Sequence, residues 1–272
     1  MSHKYFVKNV VTAITKRFAK ILSKNNLEIN WLKEKYLKHA QSGVLQNIIF
    51  KGKVFYFKNP QEFIHTTKEL FINEIYRIEL PQNAYIIDCG ANIGLSVLYF
   101  KLICPSAVIT AFEPDSQNYN LLQKNVQSYN LEKVELRTEA VWNEDTLINF
   151  SSDGNMGSKI ETNSNSNLIQ AIRLKKFISQ KVDLLKLDIE GAEYEVIKDI
   201  VDSLHFIKNI FLEYHGTFSQ NNNLTEIFTI IQNAGFKYYI KEAANIYESP
   251  FYRLKKPIGG FDVQLNIFCF RD

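Results

Sequence analysis

Three short, mostly apolar runs in this chain each end in a carboxylate. Tyr85-Ile86-Ile87 runs into Asp88, and Cys89, Gly90, Ala91, Asn92, Ile93 and Gly94 follow. Val108 to Phe112 runs into Glu113 and Pro114, 25 residues after Asp88. Val182 to Leu187 runs into Asp188, with Glu190 and Glu193 close behind. Such runs read as buried parallel strands, and the two glycines let the first one turn sharply and come close to a ligand. An acid at the end of the second strand suits a ribose diol, whose two hydroxyls donate to one carboxylate. The first turn is not G-x-G-x-x-G, and Asp88 ahead of Gly90 would repel a pyrophosphate. S-Adenosylmethionine carries a cationic sulfonium and an ammonium group and no phosphate, so it suits these residues better than a nucleotide. The plain alternative is a cofactor-free α/β domain in which the glycines serve packing alone.

A sulfonium methyl is transferred by in-line displacement, so the protein must align the acceptor and, for a hydroxyl, take up its proton. In open α/β sheets that chemistry sits at the carboxyl ends of the strands. Asp188, Glu190, Glu213 and His215 are the candidates there. His215 is the expected general base because imidazole titrates near neutrality. Glu213 alternates with it along a strand, and orients the ring or acts on substrate hydroxyls. A histidine bonded to structural partners is the competing reading. Glu193 is expected to cap the next helix, whose N-terminus favours negative charge. The same oxygen and imidazole groups could gather Mg²⁺ or Mn²⁺. That divalent-metal reading is kept as an alternative, and no residue is assigned as a metal ligand.

The elements that must position these groups alternate. Strands are expected at 84–88, 108–113, 134–141, 182–187, 207–214, 235–240 and about 262–270, with helices near 94–103, 115–129, 192–203 and 224–233. That pattern predicts a doubly wound, Rossmann-like parallel sheet over residues 77–272. Residues 1–76 form an N-terminal extension. It has an amphipathic helix over 5–22, a helix over 27–40, a hairpin about Lys51-Gly52-Lys53, and a helix near 61–76. The polar stretches Ser151–Ser158 and Asn163–Asn167 read as loops, of which Asp153–Ser158 is a candidate lid. Tyr247–Gly260, with Phe251 and Tyr252, could wall a substrate pocket.

Asp88-Cys-Gly-Ala-Asn-Ile-Gly94, Phe112-Glu-Pro114 and Lys186-Leu-Asp-Ile-Glu-Gly-Ala-Glu193 together resemble the FkbM family of S-adenosylmethionine-dependent methyltransferases, over roughly residues 80–215. Asn92 departs from the glycine many class I methyltransferases carry there, and Asn tolerates unusual backbone angles. The resemblance implies a seven-stranded, mostly parallel class I sheet and O-methylation of a sugar, glycolipid or secondary-metabolite hydroxyl. It implies that Asp88, Gly90, Ala91, Asn92 and Gly94 surround the methionine portion. Glu113 takes the ribose, with Pro114 beside it, Glu139 and Ala140 lie near the adenine, and Asp188 sits under the methyl group.

Charge is divided along the 272 residues: positions 1–58 hold twelve Lys/Arg against two Asp/Glu, and the remainder holds twenty against twenty-seven. The basic helix over 5–22 packs its apolar face in the favoured reading; weak contact with an anionic membrane surface is the other. Three widely spaced cysteines match neither a zinc site nor a disulfide framework, and no spanning or export segment is evident. A cytoplasmic protein is therefore expected, with a peripheral place at the inner membrane face as the variant reading. A homo-oligomer stays open. An RNA methyltransferase docking through its basic region, and an inactive S-adenosylmethionine-binding subunit, are the rivals. Nucleic acid is disfavoured because the lysines follow helical faces with no recognisable RNA module.

Overall fold

The computed structural model describes residues 29, 31–151, 159–160, 167–253 and 260–271. The expected helix over 5–22 and the candidate lid Asp153–Ser158 lie outside them, as do positions 254–259 of the expected pocket wall. The chain divides into two compact units, Met1–Arg77 and Ile78–Asp272.

In the first unit, α1 (Trp31–His39) is followed by the antiparallel pair β1 (Gln46–Phe50) and β2 (Lys53–Phe57), then by α2 (Pro60–Phe71). Asn59 accepts a hydrogen bond from the Glu62 N–H, and Pro60 follows it in the first helical turn, where a missing N–H costs nothing. Phe50, Phe55, Phe57 and Phe63 are fully buried, with Phe57 and Phe63 stacked at 4.4 Å. These four aromatic side chains share the core of this small unit with Leu37, Ile48, Ile64, Leu70 and Phe71. Glu34 of α1 meets Lys68 of α2 at 2.7 Å.

The second unit carries a seven-stranded sheet. Its strands are β3 (Tyr85–Cys89), β4 (Val108–Phe112), β5 (Val134–Arg137), β10 (Leu184–Leu187), β11 (Asn209–Gly216), β12 (Lys237–Glu242) and β13 (Val263–Phe270), in the order β12-β13-β11-β10-β3-β4-β5. β13 alone runs antiparallel to its two neighbours. Strands β3, β4 and β10 are buried on both faces, hence their largely apolar runs. Helix α3 (Leu95–Ile103) follows β3, α4 (Ser116–Ser128) follows β4, α5 (Glu193–Asp199) follows β10 and α6 (Asn221–Asn233) follows β11. Val196, Ile197, Ile227 and Ile231 of α5 and α6 share one core with Ile87, Leu185, Leu187, Ile210 and Leu212 of the sheet.

The expected third strand, 134–141, is broken. β5 ends at Arg137, and Ala140–Trp142 forms β6 in a second sheet, ordered β6-β9-β7-β8 with β7 (Thr146–Ser151), β8 (Lys159–Ile160) and β9 (Asn167–Arg173). The sequence reading leaves this sheet out. Its small core holds Ala140, Ile148 and Ala171, while Leu147 and Leu168 are exposed, so its hydrophobic alternation is weak. The expected helix 192–203 also stops early, at Asp199, and a 3₁₀ segment at Val201–Phe206 continues it. Among the described residues, no helix is long and apolar enough to cross a membrane.

Candidate functional site

The chain leaves β3 toward β4 and β5 and returns on the other side to β10, so β3 and β10 flank the point where the winding reverses. Crevices outside the strand ends at such a point bind ligands in open α/β sheets. The turn after β3 is tightly held there. Gly90 and Ala91 donate their N–H groups to the Phe112 carbonyl at 3.0 and 2.9 Å, and Gly94 N–H donates to Ala91 O at 2.9 Å. Gly90 has φ +82°, and a Cβ on it would lie 1.8 Å from the Asp188 carbonyl oxygen. The backbone of the neighbouring strand end, rather than a ligand, therefore demands glycine here. Asn92 takes φ +47°, as its tolerance of the left-handed region allows, and its Oδ1 accepts the Ile93 N–H at 2.6 Å.

Glu113 closes this turn from β4. Its Oε2 accepts from Asn92 N–H at 2.8 Å and its Oε1 from Asp115 N–H at 2.9 Å. Burial raises its pKa to about 8 against the pull of those two hydrogen bonds. Asp88 is also fully buried. Its Oδ2 accepts from Ser96 Oγ at 2.6 Å, and its Oδ1 faces Lys186 Nζ at 3.2 Å, an ion pair without hydrogen-bond geometry. The Asp88 side chain thus ties the end of β3 to α3 and β10, where the expected reading has it beside the methionine portion. Ala140 is likewise turned into the second sheet's core. Glu139 lies just beyond β5, paired with Arg137; burial pulls its carboxyl upward, and the hydrogen bonds and charge of Arg137 together with backbone hydrogen bonds outweigh this to leave it below its ordinary value. Ala91 is buried, whereas Gly90, Asn92, Pro114 and Glu139 keep partial exposure.

Asp188, Glu190, Glu213 and His215 do come together. Asp188, Glu213 and His215 each offer a ligand atom within 4.8 Å of the others. The His215 ring is buried; its Nε2 lies 3.5 Å from Glu190 Oε2 and 3.7 Å from Glu213 Oε1, and its Nδ1 lies 3.2 Å from Glu193 Oε1. Burial pulls the imidazole pKa down. The hydrogen bond to Glu193 and the charges of Glu193, Glu190 and Asp188 overcome that and raise it to about 10. The raised value favours the imidazolium at neutral pH, a form with no lone pair to accept a proton and so at odds with the expected general base. Glu193 is fully buried, and accepts from the N–H groups of Ile189 (3.1 Å), Gly191 (3.0 Å) and His215 (3.4 Å). It ties down the turn ahead of α5, where Glu190 and Gly191 both have positive φ. The Phe261 ring packs against His215 at 5.1 Å and closes on Gly191.

Lys186 carries a role that the sequence reading missed. It is 2 % exposed, donates to Gly90 O at 2.8 Å, and lies 3.2 Å from Asp88 Oδ1 and 3.3 Å from Asp188 Oδ2. A lysine between Leu185 and Leu187 was the available signal, since a charge in a buried strand needs partners.

These residues fit S-adenosylmethionine. A buried carboxylate at the end of β4 suits the ribose, and the partly exposed acids Asp188, Glu190 and Glu213 at the strand ends favour a cationic donor and disfavour phosphate. The model of the methyltransferase FkbM domain matches residues 88–238. Methyltransferase 1 of Beauveria bassiana (strain ARSEF 2860) is 28% identical over 205 residues, covering 64% of this chain and 80% of that protein. Methyltransferase sdnD of Sordaria araneosa is 29% identical over 224 residues, covering 66% of this chain and 83% of that protein. Among solved structures, the methyltransferase FkbM from Methylobacillus flagellatus KT aligns with a TM-score of 0.49 at 13% identity, covering 71% of this chain and 45% of that one. The chain belongs to the FkbM family of methyltransferases, for which the family implies S-adenosylmethionine as methyl donor.

Proposed function

We propose that this methyltransferase acts on a hydroxyl oxygen of a sugar, glycolipid or secondary metabolite, with a glycan hydroxyl the preferred acceptor by family analogy. The observation that carries the reading is the grouping of Asp188, Glu213 and His215 within 4.8 Å at the ends of β10 and β11. A neutral hydroxyl is a poor nucleophile, and this grouping supplies what it lacks.

The bound donor supplies an electrophilic methyl carbon on a good leaving group. Glu113 and the Gly90–Gly94 turn hold the donor's ribose and methionine portions. Asp188 and Glu213 accept hydrogen bonds from the acceptor hydroxyl, and one of them takes its proton as the oxygen attacks. His215 stays protonated, neutralises part of the acidic surroundings, and keeps Glu190 and Glu213 aligned from the Glu193 side. A cytoplasmic site of action accompanies this reading.

In a second reading Asp188, Glu213 and His215, whose imidazolium gives up its proton as the ion binds, hold a divalent ion that lowers the hydroxyl pKa. Methyl-labelled S-adenosylmethionine, a panel of mono- and oligosaccharides, and paired reactions in chelator and in Mg²⁺ separate the two. Label on a hydroxyl oxygen in chelator supports the acid–base form, and loss restored by Mg²⁺ supports the metal form. Label that enters structured RNA and no hydroxyl acceptor overturns both.

A further inference from the structure

Lys186 and Asp88 are cross-strand partners in the β10–β3 register, and Asp188 follows just beyond the end of β10, its Oδ2 3.3 Å from the Lys186 ammonium. The ammonium of Lys186 therefore sits where the donor-binding turn and the acceptor-side carboxylates meet. It donates to the Gly90 carbonyl at 2.8 Å and is 3.4 Å from the Cys89 carbonyl. It also pairs with one oxygen of Asp188 at 3.3 Å, while Asp188 itself keeps 26% of its side chain exposed.

We propose that Lys186 is a positioning residue that locks the Cys89–Gly90 carbonyls and the Asp188 carboxylate into one unit, so that the bound methyl donor and the proton-accepting group keep a fixed relation. Neutralising Asp88 alone would not require bonds to two backbone carbonyls of the turn. The ammonium's compact shape matters as much as its charge, since four oxygens from the ends of β3 and β10 converge on it. This rests on the methyltransferase reading given above.

The test is calorimetric titration of S-adenosylmethionine and S-adenosylhomocysteine into the full chain, with melting temperatures recorded alongside. The variants are Asp88→Asn, Asp88→Asn with Lys186→Met, and Lys186→Arg. The double substitution removes both members of the buried pair, and so leaves no lone buried charge at position 88. Relative to Asp88→Asn, it is expected to bind both ligands about tenfold or more weakly while melting at a similar temperature, because a small misplacement is enough to spoil the site. Lys186→Arg covers the case in which the double variant does not fold. It keeps the charge but replaces the ammonium with a planar fork, and is expected to bind about fivefold more weakly than wild type with little change in melting. Binding by the double variant within twofold of Asp88→Asn, or by Lys186→Arg within twofold of wild type, overturns the proposal and leaves Lys186 as a counter-charge. Wild type that takes up neither ligand overturns the donor-binding reading itself, and this proposal with it.

Discussion

The N–H of Asn92 and the carboxylate of Glu113, 21 residues apart in sequence, are joined by a 2.8 Å hydrogen bond. The bond fastens the glycine turn after β3 to the end of β4. It also places the carboxylate expected to meet the ribose in a buried setting where its pKa is about 8. One residue thus shapes the donor site and titrates within it.

Donor binding should therefore be coupled to a proton. Ribose hydroxyls donate to the ionised carboxylate, so affinity for S-adenosylhomocysteine rises from pH 6 to about 8 and then levels off. Below pH 8, binding releases a proton. For the ligand-free chain the sign is opposite: a carboxyl with a raised folded pKa contributes stability that is fully present below about 4.5 and is lost as pH rises through about 8. Calorimetry in buffers of differing ionisation enthalpy measures the released proton, and Glu113→Gln should abolish both slopes. A pH-independent affinity in wild type would contradict this account.

Gly90→Ala should damage fold and site together. The new Cβ would sit 1.8 Å from the Asp188 carbonyl oxygen, and φ +82° is unfavourable for any L side chain. Backbone strain and overpacking together suggest a cost of about 2–5 kcal/mol. Thermal melting should show a drop of that size, and titration with S-adenosylhomocysteine should show no binding.

Replacing Glu193 by Gln leaves His215 without its nearest counter-charge and weakens the acceptor for three backbone N–H groups. Breaking a buried pair on one side costs about 3–5 kcal/mol. Denaturant unfolding measures the cost, and NMR titration of His215 should show its pKa falling from about 10. An unchanged titration would mean that Glu193 does not hold the imidazolium.

Asp188→Asn and Glu213→Gln should separate binding from chemistry. Both side chains are partly exposed at the strand ends and carry none of the turn's backbone bonds described above. Loss of the proton acceptor is expected to lower kcat about 10²-fold or more, with donor affinity changed far less. Single-turnover transfer of labelled methyl measures this. Equal activity in both variants would move the proton acceptor elsewhere.

The sequence by itself determined the order of the seven-stranded sheet's strands along the chain, the turn at Gly90–Gly94, and the acids at the ends of β3, β4 and β10. These follow from local signals: largely apolar runs, glycines where φ is positive, and carboxylates at or directly after the ends of buried strands. Tertiary structure decided what each acid does. Asp88 and Glu113 look alike in sequence, yet the register of β10 against β3 sets Lys186 beside Asp88, whereas Glu113 meets backbone N–H groups. His215 was legible as a strand-end histidine, but its charge state depends on Glu193 and Glu190, which a separate turn brings to it. The second sheet escaped because its strands carry few inward apolar side chains, so partner pairing had to define them. Local pattern fixes where the backbone turns and which residues reach the strand ends. Burial and ionisation arise from neighbours distant in sequence, and only the packed fold supplies those.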